Sequence, residues 1–349
     1  MRRKLKAAVL GATGMVGIRF IKLLWKHPWF KLEAVAASER SRGQKLGEAA
    51  RWLPPEGFPS EVFDMEVKSP DPKELEDVDI VFSALPSEVA GKIEENFAKE
   101  GFAVFSNASS HRMEWDVPIL NPEVNSHHAF MVEEQRKRRG WEGFIVTNPN
   151  CTTAVLTLSL KPLLDRFGLK RVLVSTMQSL SGAGYPGVPS LDILDNVIPY
   201  IKGEEEKVQR ETLKIMGEPF KPAKFKVSAS CHRVSTSEGH LEAVFVELKE
   251  KAEPEEVAEA MASFKGEPQR LRLPTAPNPP IEVRWEENRP QPRLDRWAGG
   301  GMAVVVGRIR REEALNGIKY IVLGHNTVRG AAGCSVLNAE LLTSLKIIS

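Results

Sequence analysis

The feature that most constrains the fold is a glycine-rich turn between a short strand and a helix near the N-terminus. The apolar run Ala7–Leu10 is typical of a buried strand. It is followed by GATGMVG at residues 11–17 and then by a helical pattern through Leu24. The first glycine permits a tight turn, the second lets backbone approach a pyrophosphate, and the third lets the helix pack on the strand. This segment therefore predicts a dinucleotide-binding start, with the pyrophosphate at the helix N-terminus.

The end of the second predicted strand, residues 32–37, indicates which dinucleotide binds. The chain continues there as Ser38-Glu39-Arg40-Ser41-Arg42. An acidic residue at this position would bond the ribose hydroxyl of NAD, whereas hydroxyls and arginines would hold the 2′-phosphate of NADP. The hydroxyl and arginine side chains outnumber the single glutamate, so NADP is the predicted cofactor. A solvated charged turn is the alternative interpretation.

The strand pattern predicts two domains of different architecture. Further buried strands are predicted at residues 78–85, 103–105 and 144–146. Beyond residue 151 the strands are longer and alternate in polarity, which predicts a mixed, largely antiparallel sheet covered by helices. The fold class is therefore α/β, with an N-terminal Rossmann-type dinucleotide-binding domain at 1–150 and an α+β domain at 151–325. A long apolar helix is predicted at 331–346, and the segment 326–349 that contains it is predicted to complete the first domain.

Composition excludes several classes of function. The 349 residues carry a formal net charge of only +2, which argues against nucleic-acid or membrane-surface binding. The sequence contains no apolar run long enough to span a bilayer and no signal-peptide pattern. Its three cysteines are far apart, as expected in a reducing compartment. We therefore predict a cytoplasmic protein. The cysteines and histidines lack the clustered spacing of a zinc site, so no metal is predicted.

Cys151 is the strongest candidate for a catalytic residue. It lies between a predicted strand and a predicted helix, where the helix dipole stabilises a thiolate and free N–H groups can hold an oxyanion. The alternative is a buried structural cysteine. Gln178, at a strand end, could donate to an oxyanion. His232 and His240 are both candidates for the general base, because a histidine titrates near neutrality, and spacing does not choose between them.

Seven segments together identify a family. They are GATGMVG at 11–17, SNASSHR at 106–112, NPNCTT at 148–153, QSLSGAGYPG at 178–187, GEEEK at 203–207, HRVSTSEGH at 232–240 and HNTVRGAAG at 325–333. Nearly from end to end, the chain closely resembles the aspartate-semialdehyde dehydrogenase family, in its archaeal and fungal branch. The resemblance implies that the second domain is the catalytic and dimerisation domain.

The resemblance also implies a role for each matched position. Cys151 would be the nucleophile, His240 the acid and base, and Gln178 the group that orients the acyl intermediate. Arg233 would hold the substrate carboxylate, and Glu204 would hold its ammonium. Because Glu205 and Glu206 are adjacent, the sequence leaves open which of the three glutamates binds the ammonium. The phosphate site would consist of Arg112, Asn150 and Lys207. For the NADP site, the residues themselves already indicate Gly11, Gly14, Ser38, Arg40 and Ser41. The resemblance implies Gly11, Thr13, Gly14, Met15, Val16, Ser38, Ser41, Gly182, Ala183, Asn326 and Thr327.

The implied activity is the NADPH-dependent reductive dephosphorylation of L-aspartyl 4-phosphate to L-aspartate 4-semialdehyde, by a homodimer or a dimer of dimers. One rival is malonyl-CoA reductase of the same family, which lacks the asparagines before its cysteine, whereas this chain has Asn148 and Asn150. N-acetylglutamyl-phosphate reductase has a different nucleophile motif. A rival of another class is a non-catalytic NADP-binding regulator, against which the cysteine, the histidine and the anion-binding residues argue together.

Overall fold

The computed structural model describes residues 3–348 and divides them into two compact units. The first unit comprises the described residues up to Leu120, the segment His127–Asn148 and the chain from Ala331 onward. The second unit comprises Asn121–Ser126 and Pro149–Gly330. The C-terminal helix thus folds with the N-terminal part of the chain. None of the helices between residues 3 and 348 combines the length and the apolar character of a membrane span.

A six-stranded parallel sheet forms the centre of the first unit. Its strands are β1 (Leu5–Leu10), β2 (Phe30–Ala36), β3 (Val67–Lys68), β4 (Ile80–Ser83), β5 (Ala103–Ser106) and β6 (Phe144–Thr147). The helices of this unit are α1 (Met15–Leu24), α2 (Leu46–Ala49), α3 (Ser87–Lys99), α5 (Met131–Arg139) and, at the C-terminus, α12 (Gly333–Ser344). The spatial order β3-β2-β1-β4-β5-β6 reverses direction between β1 and β4. Sheets of this kind bind ligands at that switch point, beyond the carboxyl ends of the strands.

Continuous apolar runs form these strands because both faces of the sheet are buried. Along β1, Ala7 and Val9 belong to one hydrophobic cluster, whereas Ala8 and Leu10 belong to the other. The first cluster includes side chains of α1 and α12, and the second includes side chains of α3. Helices on both faces are what a parallel sheet requires. The prediction of a Rossmann-type α/β domain is confirmed.

The second unit contains a mixed sheet. Its strands are β7 (Leu169–Gln178), β8 (Lys226–Arg233), β9 (His240–Leu248), β10 (Ile281–Arg284), β11 (Val304–Glu312) and β12 (Gly317–Gly324). Its helices are α4 (Pro122–Asn125), α6 (Cys151–Phe167), α7 (Ser190–Ile193), α8 (Glu204–Ile215), α9 (Pro254–Ala262), α10 (Glu267–Arg270) and α11 (Pro292–Asp295). The order is β10-β11-β12-β9-β7-β8, with parallel pairs only at the two ends. The mixed, largely antiparallel sheet is therefore also confirmed.

Strand β9 explains how this sheet presents functional side chains. Its residues alternate between fully and partly buried, beginning with His240 on the buried face. The register pairs Gln178 at the end of β7 with Arg233 at the end of β8, and Gly324 at the end of β12 with His240. Four strand termini therefore meet at one end of the sheet, where they bring these polar side chains together.

Two strands and the bounds of the last helix differ from the sequence-based expectation. Strand β3 has only two residues and β10 follows a proline-rich connection, so neither carries a readable alternation. The terminal helix is expected at 331–346, but a π-helical turn covers Val328–Ala332 and the α-helix begins at Gly333. Hydrophobic periodicity does not distinguish the two helix types, since both bury an apolar face.

Replacing Gly17 with alanine should damage the nucleotide-binding turn. A Cβ atom at Gly17 would lie 2.1 Å from the carbonyl oxygen of Gly11, whose φ of +73° makes the turn itself dependent on glycine. Because the obstacle is backbone, relief requires the turn to move. We expect Gly17→Ala to lower the free energy of unfolding by about 1–3 kcal/mol and to weaken dinucleotide binding, as measured by urea denaturation and nucleotide titration.

Gly91→Ala provides a matched control for this experiment. Gly91 lies inside α3, and a Cβ atom there would have Ser110 Cβ as its nearest neighbour, at an ordinary contact distance of 3.5 Å. Alanine is the better helix former, so this variant should be as stable as the parent or more stable. A Gly17→Ala protein that matches Gly91→Ala in stability and nucleotide affinity would contradict the prediction.

Candidate active site

Cys151 is the first residue of α6, and Asn150 caps that helix. The Asn150 Oδ1 atom accepts hydrogen bonds from the backbone N–H groups of Thr152 and Thr153, at 3.0 and 3.3 Å. Cys151 is partly buried and lies in the positive field of the helix N-terminus, which favours a thiolate. The N–H groups of Thr152 and Thr153 therefore already have an acceptor, and the expectation that this helix end holds an oxyanion stays a prediction.

The structure distinguishes between the two candidate histidines. The Nε2 atom of His240 lies 3.1 Å from the Cys151 Sγ atom. His232, in contrast, is partly buried within β8, and its Nδ1 atom lies 3.1 Å from the backbone carbonyl of Thr176. Of the two, His240 is therefore the one in a position to exchange a proton directly with the thiol.

His240 is held in its neutral form. Burial lowers the pKa of His240 to about 3, and the positive charges of Arg233 and His325 act in the same direction. The backbone N–H of Ser179 lies 3.1 Å from the His240 Nδ1 atom and donates to it in the tautomer that carries its proton on Nε2, whereas the tautomer that acts as a base at Nε2 carries its proton on Nδ1. At neutral pH the imidazole is therefore uncharged, which is the state from which a histidine acts as a base.

Arg233 supplies a buried positive charge beside the thiol. Its Nη1 atom donates to the backbone carbonyl of Ser179 at 2.6 Å, and only 6% of the residue is exposed. Burial lowers the pKa of the Arg233 guanidinium, whereas the negative charges of Cys151 and Glu204 raise it. The backbone at Gly182 passes so close that a Cβ there would lie 2.6 Å from Nη1. A guanidinium in this position can bind a carboxylate through two parallel hydrogen bonds.

A network of buried amides surrounds Glu204, the first residue of α8. Its Oε1 atom accepts from Asn150 Nδ2 at 2.8 Å and from Gln178 Nε2 at 3.2 Å. The Gln178 amide also donates to the Thr152 hydroxyl. Lys207, one turn along α8, lies with its Nζ atom 3.8 Å from the other Glu204 oxygen. The amide group of Gln178 is thus engaged by protein acceptors.

The same hydrogen bonds distinguish which of the three adjacent glutamates, Glu204, Glu205 or Glu206, lies near Cys151. The Glu205 carboxylate accepts from the backbone N–H of Cys231 at 3.0 Å, and Glu206 is exposed on α8. Glu204 is the one that contacts Asn150 and Gln178. It is therefore the glutamate of this segment that belongs to the cluster around Cys151.

Arg112 lies in the first unit, in the loop after β5. It is buried, and its Nη2 atom donates to the carbonyl oxygen of Asn107 at 2.8 Å. The Asn107 side chain accepts in turn from Asn148 Nδ2 at 2.8 Å. Burial raises the pKa of the nearby Glu94 carboxyl, which the Arg112 charge opposes. Arg112 thus presents a guanidinium at the carboxyl edge of the parallel sheet.

A cavity of about 740 Å³ follows the glycine-rich turn of the first unit, and its walls include Gly11, Thr13, Gly14, Ser38 and Glu39. It lies at the switch point of the sheet, and the N-terminus of α1, at Met15 and Val16, adjoins it. Glycine backbone and a helix N-terminus are the groups that bind a pyrophosphate, so these residues fit a dinucleotide. The Glu39 carboxylate accepts from the Ser69 hydroxyl at 3.0 Å and lies 3.7 Å from the Arg42 guanidinium. Arg40 and Ser41 occupy the turn that follows Glu39.

The remaining candidate cofactor residues lie in the second unit. Gly182 and Ala183 are part of a short 3₁₀ turn, Leu180–Ala183. Asn326 and Thr327 follow β12 and are buried. The Thr327 hydroxyl donates to Glu238 at 3.2 Å, and the Asn326 amide bonds Ser179, Ser181 and Gly239.

Sequence reasoning missed three residues of this site. Glu211 accepts from the backbone N–H of Asn150 at 2.7 Å, Thr152 bonds Gln178, and Ser179 bonds His240. Each is an ordinary helix or strand-end residue in the sequence, and each contact joins segments far apart in the chain. No local pattern signals such contacts. Among residues 3–348 there is also no cluster of three side chains suited to bind a metal ion.

Comparisons with known proteins agree on one family. Residues 6–131 match the family model described as semialdehyde dehydrogenase, NAD binding domain, and residues 160–329 match semialdehyde dehydrogenase, dimerisation domain. The chain is 57% identical to an aspartate-semialdehyde dehydrogenase of Methanothermobacter thermautotrophicus, over 97% of this chain and 98% of the relative. It is 48% identical to the malonyl CoA reductase (NADP) of Metallosphaera sedula, over 98% of both chains.

A solved structure extends the likeness to the fold. The crystal structure of aspartate semialdehyde dehydrogenase with NADP from Candida albicans matches with a TM-score of 0.90 at 40% identity, covering 99% of this chain and 100% of that one. Sequence and fold comparisons therefore cover both units.

Proposed function

The chain belongs to the aspartate-semialdehyde dehydrogenase family, and from this premise we propose that it catalyses the NADPH-dependent reductive dephosphorylation of L-aspartyl 4-phosphate to L-aspartate 4-semialdehyde. The observation that carries this proposal is the 3.1 Å contact between Cys151 Sγ and His240 Nε2 at the N-terminus of α6. A thiol beside a neutral histidine is the arrangement that covalent acyl chemistry requires. The reaction belongs to the synthesis of lysine, threonine and methionine.

The first chemical step forms a thioester. His240 accepts the proton of the Cys151 thiol at Nε2, and the thiolate attacks the acyl carbon of aspartyl 4-phosphate. A carbon–sulfur bond forms, the carbon–oxygen bond to phosphate breaks, and the proton on His240 is available to the departing phosphate. Covalent attachment helps because a thioester accepts a hydride readily, whereas a carboxylate does not.

The second step reduces the thioester and releases the aldehyde. NADPH, when bound, supplies the hydride that reduces the acyl carbon. The carbonyl then re-forms, the carbon–sulfur bond breaks, and Cys151 returns to its thiolate. Because the first proton left with the phosphate, His240 takes up another from solvent at Nε2 and returns it to the sulfur across the 3.1 Å contact, which restores the thiol.

Substrate recognition relies on charges around the thiol. Arg233 would bind the α-carboxylate, and its burial supports this role because a desolvated guanidinium binds carboxylates more strongly. Glu204 would bind the ammonium, with Asn150 and Gln178 holding its carboxylate in place. Arg112, Asn150 and Lys207 would form the phosphate site.

The candidate NADP residues remain Gly11, Thr13, Gly14, Met15, Val16, Ser38, Arg40, Ser41, Gly182, Ala183, Asn326 and Thr327. The 740 Å³ cavity, with Gly11 and Gly14 in its wall, supports the part of this set that lies in the first unit. The contact of Glu39 with Ser69 and Arg42 supports NADP over NAD, because it offsets a negative charge beside the proposed 2′-phosphate position.

The rival within the family is malonyl-CoA reduction, and a relative with that activity shares 48% identity. Steady-state NADPH oxidation with aspartyl phosphate and with malonyl-CoA would separate the two. The reverse reaction, aspartate semialdehyde with phosphate and NADP, is the practical form of the first assay. We expect activity with the aspartyl pair only, dependent on phosphate. Activity mainly with malonyl-CoA would overturn the substrate assignment and the phosphate site, but would leave Cys151 as the nucleophile.

We also propose that the protein is a homodimer or a dimer of dimers in the cytoplasm. The family model matched by residues 160–329 is described as a dimerisation domain, which supports self-association. On the less buried face of the mixed sheet, Leu173 is 39% exposed and the alternate residues of β9 are partly buried. A second copy would cover this face. Sedimentation of the purified protein would give its mass in solution.

A further inference from the structure

Ser179, which directly follows Gln178 at the end of β7, contacts the catalytic histidine with two different groups. Its backbone N–H donates to the His240 Nδ1 atom at 3.1 Å, and its hydroxyl oxygen lies 3.2 Å from the same atom. Both residues are completely buried. The N–H suits an Nδ1 atom that has no proton. The hydroxyl suits an Nδ1 atom that carries one, provided that the hydroxyl can accept.

The hydrogen bonds of Asn326 show that the Ser179 hydroxyl can accept a hydrogen bond from His240. The Asn326 Oδ1 atom receives the backbone N–H of Gly239 at 2.9 Å, and the Nδ2 atom donates to the Ser181 hydroxyl at 2.8 Å. Because a backbone N–H is only a donor, the Oδ1 side of the amide must face it. The Ser179 hydroxyl, 3.1 Å from Oδ1, therefore donates its own hydrogen to Asn326. Its lone pairs then face two partners, the His240 Nδ1 atom and the Ser181 hydroxyl, each 3.2 Å away.

We propose that Ser179, oriented by Asn326, is the positioning residue that lets His240 change its protonation state during turnover. In the working form Nδ1 keeps its proton throughout and donates it in a hydrogen bond to the Ser179 hydroxyl, while Nε2 accepts the Cys151 proton. In the other neutral form Nδ1 has no proton, the Ser179 backbone N–H donates to it, and Nε2 already carries a hydrogen and cannot accept one from Cys151. No bond to carbon is involved: one proton moves from Sγ to Nε2 and later to the departing group. The inference rests on the proposed function of Cys151 and His240 and adds to it.

An acceptor at Nδ1 matters because the surroundings of His240 oppose a positive charge. Arg233 from β8 and His325 after β12 lower its pKa, together with complete burial. Cys151 from α6 favours the charged imidazole, because Cys151 is then a thiolate whose negative charge lies beside it. Glu242, two residues along β9, is fully buried, and burial raises the pKa of its carboxyl well above the usual value, which favours its neutral form. The Ser179 hydroxyl is thus the neutral group that stabilises the imidazolium.

The test compares Ser179→Ala with the wild-type enzyme. Alanine keeps the backbone N–H and removes the hydroxyl, so it should trap the Nε2–H form of His240. We expect turnover to fall about 10- to 100-fold with KM nearly unchanged, because one hydrogen bond to a charged group is lost in the working state. The rate of Cys151 alkylation by iodoacetamide is measured against pH by mass spectrometry of the Cys151 peptide. The midpoint pH of this curve should rise by about one pH unit.

Two further variants make the test specific. Ser179→Thr keeps the hydroxyl and should restore most of the turnover. Ser175→Ala removes a partly buried hydroxyl from β7, the same strand, and should behave as wild type in both assays. Thermal unfolding of each protein checks that the fold is intact.

The outcomes also separate this inference from the proposed function. A Ser179→Ala enzyme with wild-type turnover and an unchanged alkylation midpoint would overturn the role of Ser179. Alkylation needs no substrate, so a wild-type protein that is inactive on aspartyl phosphate but shows the midpoint shift in Ser179→Ala would refute the proposed substrate and support the role of Ser179.

Discussion

Replacing Cys151 with alanine is expected to abolish turnover, by about 10⁴-fold or more, while NADPH binding is retained. The loss follows from the covalent route, because the acyl intermediate forms on the Cys151 sulfur beside His240 and alanine has no nucleophile to replace it. Retained cofactor binding follows because the cavity formed by Gly11, Gly14 and Ser38 lies in the first unit, whereas Cys151 lies in the second. Steady-state assays and fluorescence titration with NADPH measure the two effects.

Cys334→Ala is the matched control for this variant. Cys334 is a second cysteine in a helix, α12, and its buried thiol donates to the carbonyl oxygen of Leu120. Its removal should leave turnover within a few-fold of wild type, because it takes no part in the proposed chemistry. Substantial turnover in Cys151→Ala would refute the thioester route, and equal loss in both variants would point to damage to the fold.

Replacing His240 with asparagine is expected to reduce turnover by about 10²- to 10⁴-fold, which is the usual contribution of a general acid–base group. The Nε2 atom is the group that exchanges a proton with Cys151, and asparagine cannot replace it in that exchange. Cys151 alkylation at neutral pH should slow as well, because the thiol loses the base that removes its proton. Both effects are measured on the same purified variant.

His232→Asn tests whether the effect belongs to the histidine at the thiol. His232 is eight residues earlier in the same segment, but it bonds the backbone carbonyl of Thr176 rather than Cys151. We expect turnover close to wild type in this control. If His232→Asn loses more activity than His240→Asn, the assignment of the acid and base would be wrong, whatever the substrate.

Much of the first unit can be predicted from sequence because its signals are local. The strand Ala7–Leu10, the glycines at 11, 14 and 17 and the following helix are all within one short segment. Gly17 is an example, because a Cβ atom at this position would clash with the backbone of Gly11, only six residues away. The buried parallel strands also read directly as apolar runs, because both of their faces are covered. A two-residue strand such as Val67–Lys68 has no such pattern.

For the active site, the sequence by itself determined which kinds of residues carry the chemistry: a cysteine at a helix N-terminus, an arginine and two histidines. Only the tertiary structure decided which of them work together. Contact between His240 and Cys151, rather than His232, depends on where β9 begins relative to α6, and the choice of Glu204 depends on which face of α8 meets Asn150. Ser179 acquires its role from contacts with residues 61 and 147 positions away. Hydrogen bonds between distant segments leave no periodicity in the chain, so they appear only when the strands are assembled.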